Sequence, residues 1–164
     1  MRRVALLLAA AVLIHNLEEW IALGLMPEVL GQFRQLTGLP IPDLATTRAA
    51  LVGFALFPLI ILLRFALRPG KRLAFLACMV AAMAVANALA PHFLLALATG
   101  GYVPGLTSAL LLTLPLGLFM LWQVRREKWL SARAWTAAVA TGILLVPAVL
   151  TGFWALGELA AEFG

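Results

Sequence analysis

Residues 4–25, VALLLAAAVLIHNLEEWIALGL, decide the fold. At ~1.5 Å of rise per residue, a helix of this length crosses the ~30 Å hydrocarbon core of a bilayer. Yet its middle, His15-Asn16-Leu17-Glu18-Glu19, carries an imidazole and two carboxylates. On insertion scales a mid-bilayer carboxylate costs about 2.5–3.5 kcal/mol, so partners, a bound cation or a wet cavity must offset it. Glu18 follows His15 by three residues and Glu19 by four, so both carboxylates share a helix face with the imidazole.

The rest of the chain repeats the apolar pattern. Of 164 residues, 64% are hydrophobic and only 12% charged, about half the ~25% of soluble domains. A mean hydropathy of +1.04 fits a polytopic membrane protein. The predicted fold is all-α: one transmembrane domain over residues 1–164, a bundle of five helices at about 4–26, 47–67, 72–98, 104–124 and 134–157, with an outer loop at 27–46. Ten of the twelve Lys and Arg residues fall before the first span, around the second turn or after the fourth span; Arg34 and Arg48 fall opposite. The positive-inside rule then predicts a cytoplasmic N-terminus and an outside C-terminus bearing Glu158 and Glu162. The net charge of +5 is thereby topological, and no nucleic-acid partner is implied. Met1-Arg2-Arg3 before the apolar run resembles a secretory signal, but cleavage would fall inside the polar stretch, so a retained helix is expected. The expected location is a prokaryotic cytoplasmic (inner) membrane. Trp122, Trp129 and Trp135 are expected at the inner boundary and Trp154 at the outer one.

Within the outer loop, punctuated by Pro27, Gly31, Gly38, Pro40 and Pro42, residues 28–36 suit a short interfacial helix presenting Val29, Leu30, Phe33 and Leu36. The loop could act as a lid or merely connect. Asp43, Thr46 and Thr47 offer caps for the second span. The third span has small residues every fourth position (Ala74, Cys78, Ala82, Ala86, Ala90), which lets a neighbouring backbone approach and places this span centrally. Cys78, the single cysteine, reads as a packing residue. Pro91 removes a hydrogen bond to the Asn87 carbonyl and predicts a kink. Without it His92 would lie about 140° around the helix from Asn87. Pro58, Pro115 and Pro147 also interrupt spans.

Depth brings the uncommon polar residues together. At ~1.5 Å per residue, His15 lies ~16 Å above the inner boundary, Glu18 and Glu19 ~21–22 Å, Asn87 ~22 Å and His92 ~29 Å. Tyr102 and Thr107 begin the fourth span on the same side, and Arg48 begins the second as a possible counter-charge. Two His and two Glu are a suitable set for Zn, with Fe or Mn as alternatives. By analogy with helical zinc motifs, His15 and Glu19 would be ligands, His92 the third, and Glu18 the general base, the two glutamates being exchangeable. Asn87 or Tyr102 could stabilise an oxyanion. The plainer readings are a metal-free proton-sharing cluster of His15 with its carboxylates, Asn87 as an interhelical hydrogen-bonding residue, and Tyr102–Gly105 as a turn with Pro104 at the first helical position.

The letters H-N-L-E-E resemble the signature of the HXXEE family of small integral-membrane proteins. That family also has an Asn/His motif, matched here by Asn87 and His92, at an interval of five positions where the family has four. Its Tyr-x-Pro-Gly-x-x-Thr motif is matched at Tyr102-Val103-Pro104-Gly105 and followed by Leu106-Thr107, the threonine standing one position earlier than the motif places it. The resemblance implies an enzyme of unassigned activity.

The expected function is metal-assisted hydrolysis of a lipid-like or otherwise membrane-partitioned substrate, at a site in the outer half of the bilayer. Membrane lipids and an amphiphilic substrate are the expected partners. The alternatives are a proton- or ion-coupled transporter using the His/Glu cluster as a relay, and an accessory protein docking through the small-residue helix. The apolar inner half of the first span argues against a relay.

Overall fold

The computed structural model describes residues 1–38 and 41–162. The described residues are all-α, with six helices: α1 (Arg2–Leu25), α2 (Glu28–Thr37), α3 (Leu44–Leu67), α4 (Lys71–Thr99), α5 (Leu106–Arg126) and α6 (Ala132–Glu162). Five, all but α2, contain a stretch long and apolar enough to cross a membrane. The short helix expected in the outer loop is α2, ending at Gly38 in the left-handed conformation. As expected, Asp43 caps α3, its Oδ1 accepting the Thr46 N–H at 2.8 Å. Pro40 and the side chains of Glu158 and Glu162 lie outside the described residues.

Helix α1 packs on α3 and α5, while α4 packs on α3, α5 and α6, and α3 also meets α6. Small residues make α4 central: Ala74, Ala77, Cys78, Ala81 and Ala82 are fully enclosed. The neighbouring backbones come so close that a Cβ on Gly142 of α6 would collide with the Met79 carbonyl oxygen. Lipid tails are as apolar as these side chains, so van der Waals fit rather than water exclusion must hold such helices together in a bilayer. The ladder fades at its far end, where Ala86 is half-buried and Ala90 exposed.

The tight core fills one half of the bundle, around Leu8, Leu62, Phe65, Cys78, Met120 and Val124. A second, small cluster caps the other half: Ile41, Ala50 and Trp154, with Leu30 and Phe33 of α2 against them. Trp154 was expected at a lipid boundary but is buried there. Helix α6 leans on α3, and the approach to α3 supplies Ile41 to cover the indole. Arg34 of α2 donates a hydrogen bond to the Ile41 carbonyl, tying α2 to the same cluster.

Between the two clusters both α4 and α5 open into wide turns, at Ala88–Phe93 and Ala109–Thr113. In the first, Ala90 is extended (φ −137°, ψ 116°), as a residue preceding proline prefers. In the second, just before Pro115, the Thr113 hydroxyl donates to the Ala109 carbonyl at 3.0 Å. The two turns touch, and the candidate site is built where they meet.

Candidate functional site

His15 is buried in α1 and wedged against the start of α5. Its Nδ1 lies 3.2 Å from the Gly105 carbonyl oxygen and 3.2 Å from Ser108 Oγ. A carbonyl can only accept, so Nδ1 carries the proton and Nε2 presents a lone pair. That lone pair faces the Asn87 amide nitrogen at 3.2 Å and lies 3.8 Å from Glu19 Oε2. His92 is buried beside it, its ring edge-on to that of His15 with centroids 4.7 Å apart. The Pro104 backbone hydrogen-bonds the His92 ring. Both imidazoles are thus tethered through one nitrogen to a single turn, as metal-ligating histidines commonly are.

That turn exists because of Gly105. Its φ of +82° suits glycine, and a Cβ there would lie 2.9 Å from Cε1 of both His15 and His92. Helix α5 therefore starts at Leu106 with Gly105 as its cap residue. The sequence expectation of Pro104 at the first helical position is corrected by two residues, because the chain needs a left-handed residue to turn between the rings.

The broken α4 explains how Asn87 and His92 reach one place. On a regular helix a spacing of four shares a face and a spacing of five does not. A wide turn with i→i+5 hydrogen bonding absorbs one extra residue. The interval of five between Asn87 and His92 straddles just such a turn, so both still line the same cavity.

The two adjacent glutamates have different surroundings. Glu18 Oε1 accepts from the Tyr102 hydroxyl (2.8 Å) and the Thr107 N–H (3.2 Å), and Oε2 from the Ser108 N–H (2.7 Å). Thr107 and Ser108 are the second and third residues of α5, whose amides no partner within the helix can satisfy. Glu18 therefore acts as a cap donated from another helix, its charge set against the positive end of the α5 dipole. Burial, reinforced by the bond to Glu18, pushes the Tyr102 phenol up to about 12, so it stays a donor. Glu19 has no such set of donors. With His15 and His92 it offers ligand atoms that all lie within 4.8 Å of one another.

Of the residues singled out from sequence, the structure brings together His15, Glu19, His92 and Asn87. Glu18, Tyr102 and Thr107 form an adjoining anchor, to which Thr107 gives its backbone N–H while its side chain is exposed. Arg48 does not join either group: its guanidinium donates to the Trp20 carbonyl at 3.1 and 3.3 Å and sits over the Trp20 ring. It fills the space above Gly24, and the exposed carbonyls near the end of α1 outcompete the distant carboxylates. Two functional residues were missed, Gly105 and Ser108. The glycine of the Tyr-x-Pro-Gly motif was a signal for the first, and the full Tyr-x-Pro-Gly-x-x-Thr spacing, whose last position falls on Ser108, was a signal for the second.

The cluster lies in the wall of a cavity of about 150 Å³. Val29, Leu30 and Phe33 of α2 line one end, and Phe54, Phe57, Pro58 and Val80 line the other. Sequence comparison matches residues 6–120 to the family described as "Protein of unknown function with HXXEE motif". The chain belongs to the HXXEE family. The match takes in all three motifs and with them the whole cluster, from His15 to Ser108. No curated protein and no solved structure matches the chain.

Proposed function

We propose that this member of the HXXEE family is an integral-membrane hydrolase in which His15, His92 and Glu19 hold a divalent cation, Zn first and Fe or Mn as alternatives. The observation that carries the proposal is the paired tethering of the histidines beside an open carboxylate. The Gly105 carbonyl fixes Nδ1 of His15 and leaves Nε2 toward Glu19, the Pro104 backbone holds the His92 ring, and a nitrogen of each ring lies within 4.8 Å of a Glu19 oxygen. The donor set of two imidazoles and one carboxylate is one that Zn takes at catalytic sites. Ligands on a single Zn ion stand about 3.4 Å apart, so small side-chain rotations from the 4.8 Å grouping suffice. When bound, such an ion polarises a carbonyl or phosphoryl oxygen.

The protein groups divide the remaining work. The Gly105 carbonyl holds His15 in one tautomer, and the Asn87 amide stands beside it as a donor for developing negative charge. Glu18, expected to be the general base, is assigned here to positioning: three donors already satisfy its oxygens, which makes it a weak proton acceptor. The apolar walls exclude water and suit a membrane-partitioned substrate. A relay transporter is the competing reading. The cavity lining on the side of Val12 and Val80 is apolar except for Thr113, which gives protons no path.

Elemental analysis of the purified protein tests the proposal. About one equivalent of Zn, Fe or Mn per chain, removed by a chelator, is expected. Metal-free protein prepared without chelator would favour the proton cluster.

The orientation also belongs to this proposal: N-terminus cytoplasmic, C-terminus outside, cluster in the outer half of the bilayer. Reporter fusions before Met1 and after Gly164 should report opposite sides, and both reporters on one side would reject the five-span topology.

A further inference from the structure

Two buried acceptors in the cavity wall are left without partners. Asn16, next to His15, donates its amide nitrogen to the Val12 carbonyl at 2.9 Å, which fixes the side chain and leaves Oδ1 pointing away unbonded. Thr47, at the start of α3, has an unbonded hydroxyl. Each is only 7% exposed, and both line the cavity that holds the His/Glu cluster. An unmet polar atom in such a place is destabilising, and a ligand group able to donate to Asn16 and to exchange hydrogen bonds with Thr47 would relieve it.

The rest of the lining narrows the ligand. Among the described residues neither Lys nor Arg contributes to it, Arg48 being held by Trp20, and Glu19 adds the only acidic group. A phosphate or carboxylate head would find no counter-charge. Beyond the polar belt the wall is made by Phe54, Phe57, Pro58, Val80 and Met83, a surface for hydrocarbon. A cavity of about 150 Å³ is of the size that holds a benzene-sized group, so it takes the head and first few carbons of one chain and not the two chains of a diacyl lipid.

We infer that the cavity binds a short single-chain amphiphile with an uncharged hydroxyl or amide head, the head between Asn16 and Thr47 and the chain against Phe57 and Val80. This deepens the proposed function by naming its substrate class, and rests on the cavity being the substrate site. Binding requires no cation, so it can be tested on chelator-treated protein, separately from the metal assignment.

The probes are monoacylglycerols of graded chain length, with the fatty acid and methyl ester of each chain, added to full-length protein in nanodiscs. Displacement of a fluorescent single-chain probe is measured. The monoacylglycerol should bind at least tenfold tighter than the matching fatty acid or ester, with an optimum chain length. Thr47→Val should lose about tenfold for the monoacylglycerol and leave the ester unchanged. Val80→Phe, or Ala84→Leu on the same wall if that variant does not fold, should move the optimum to a shorter chain. Equal binding of all heads, an optimum that does not move, or no displacement by any probe (a cavity holding water only) would each overturn the inference. If metal analysis is negative while these results hold, the binding site stands and the hydrolase assignment falls.

Discussion

Gly105→Ala is expected to cost about 2–6 kcal/mol of stability and to lower metal content more than tenfold. Two effects add. A Cβ disfavours the left-handed backbone at φ +82°, a strain of ~1–3 kcal/mol. The same Cβ would press on Cε1 of both histidines at 2.9 Å, and overpacking of this kind costs a further ~1–3 kcal/mol. Rings pushed apart can no longer share a cation. Gly100→Ala is the control: its φ is +68° but nothing lies within 4 Å of the new methyl. It should pay only the backbone cost of ~1–2 kcal/mol and keep its metal. Thermal denaturation and elemental analysis of the two variants side by side decide the matter. Equal behaviour would mean that Gly105 is needed for its turn alone and not for seating the two rings.

The glutamates should separate just as sharply. Glu19→Gln is expected to lose bound metal, since an amide oxygen is a poor replacement for a carboxylate ligand, without losing stability in the metal-free state. A carboxylate in this setting is costly when the imidazole 3.8 Å away is neutral and turns a lone pair toward it, and the neutral amide avoids that cost. Glu18→Gln should do the reverse. It keeps the metal but weakens the charge-assisted bonds from Tyr102, Thr107 and Ser108, worth about 1.5–3 kcal/mol each when one partner is ionised. The amide retains some of this, so a loss of about 2 kcal/mol is expected. Metal stoichiometry and melting temperature are the two readouts. Loss of metal from both variants would return Glu18 to the ligand set, and a stability loss confined to Glu19→Gln would reverse the assignment.

The sequence disclosed the helices and the residues of the cluster more fully than the roles within it. Five apolar spans, the α2 helix and the Asp43 cap depend on local pattern, and local pattern is what a sequence displays. His15, Glu18 and Glu19 could be placed on one helix face by spacing alone. Which carboxylate faces the cavity could not, because spacings of three and four are nearly equivalent on a helix. The decision is made by a partner 84–90 residues away, the amide-rich start of α5 that captures Glu18. Arg48 misled for a similar reason: its depth was suitable, but the Trp20 carbonyl and ring lie closer. Trp154 matched the pattern of a boundary tryptophan, and only the path of the chain through Ile41 buries it.

The separation of the two apolar clusters sets a hierarchy of cooperativity. The cover of the cavity, made from Leu30, Phe33, Ile41, Ala50 and Trp154, forms a group of its own apart from the main core. Units that share few contacts open at their own free energies. The cover should therefore detach as a unit while the α4-centred core stays folded, so that amides of α2 exchange with solvent orders of magnitude faster than those of residues 74–82. A ligand that docks beneath it would slow α2 selectively, giving a binding signal that needs no knowledge of the reaction.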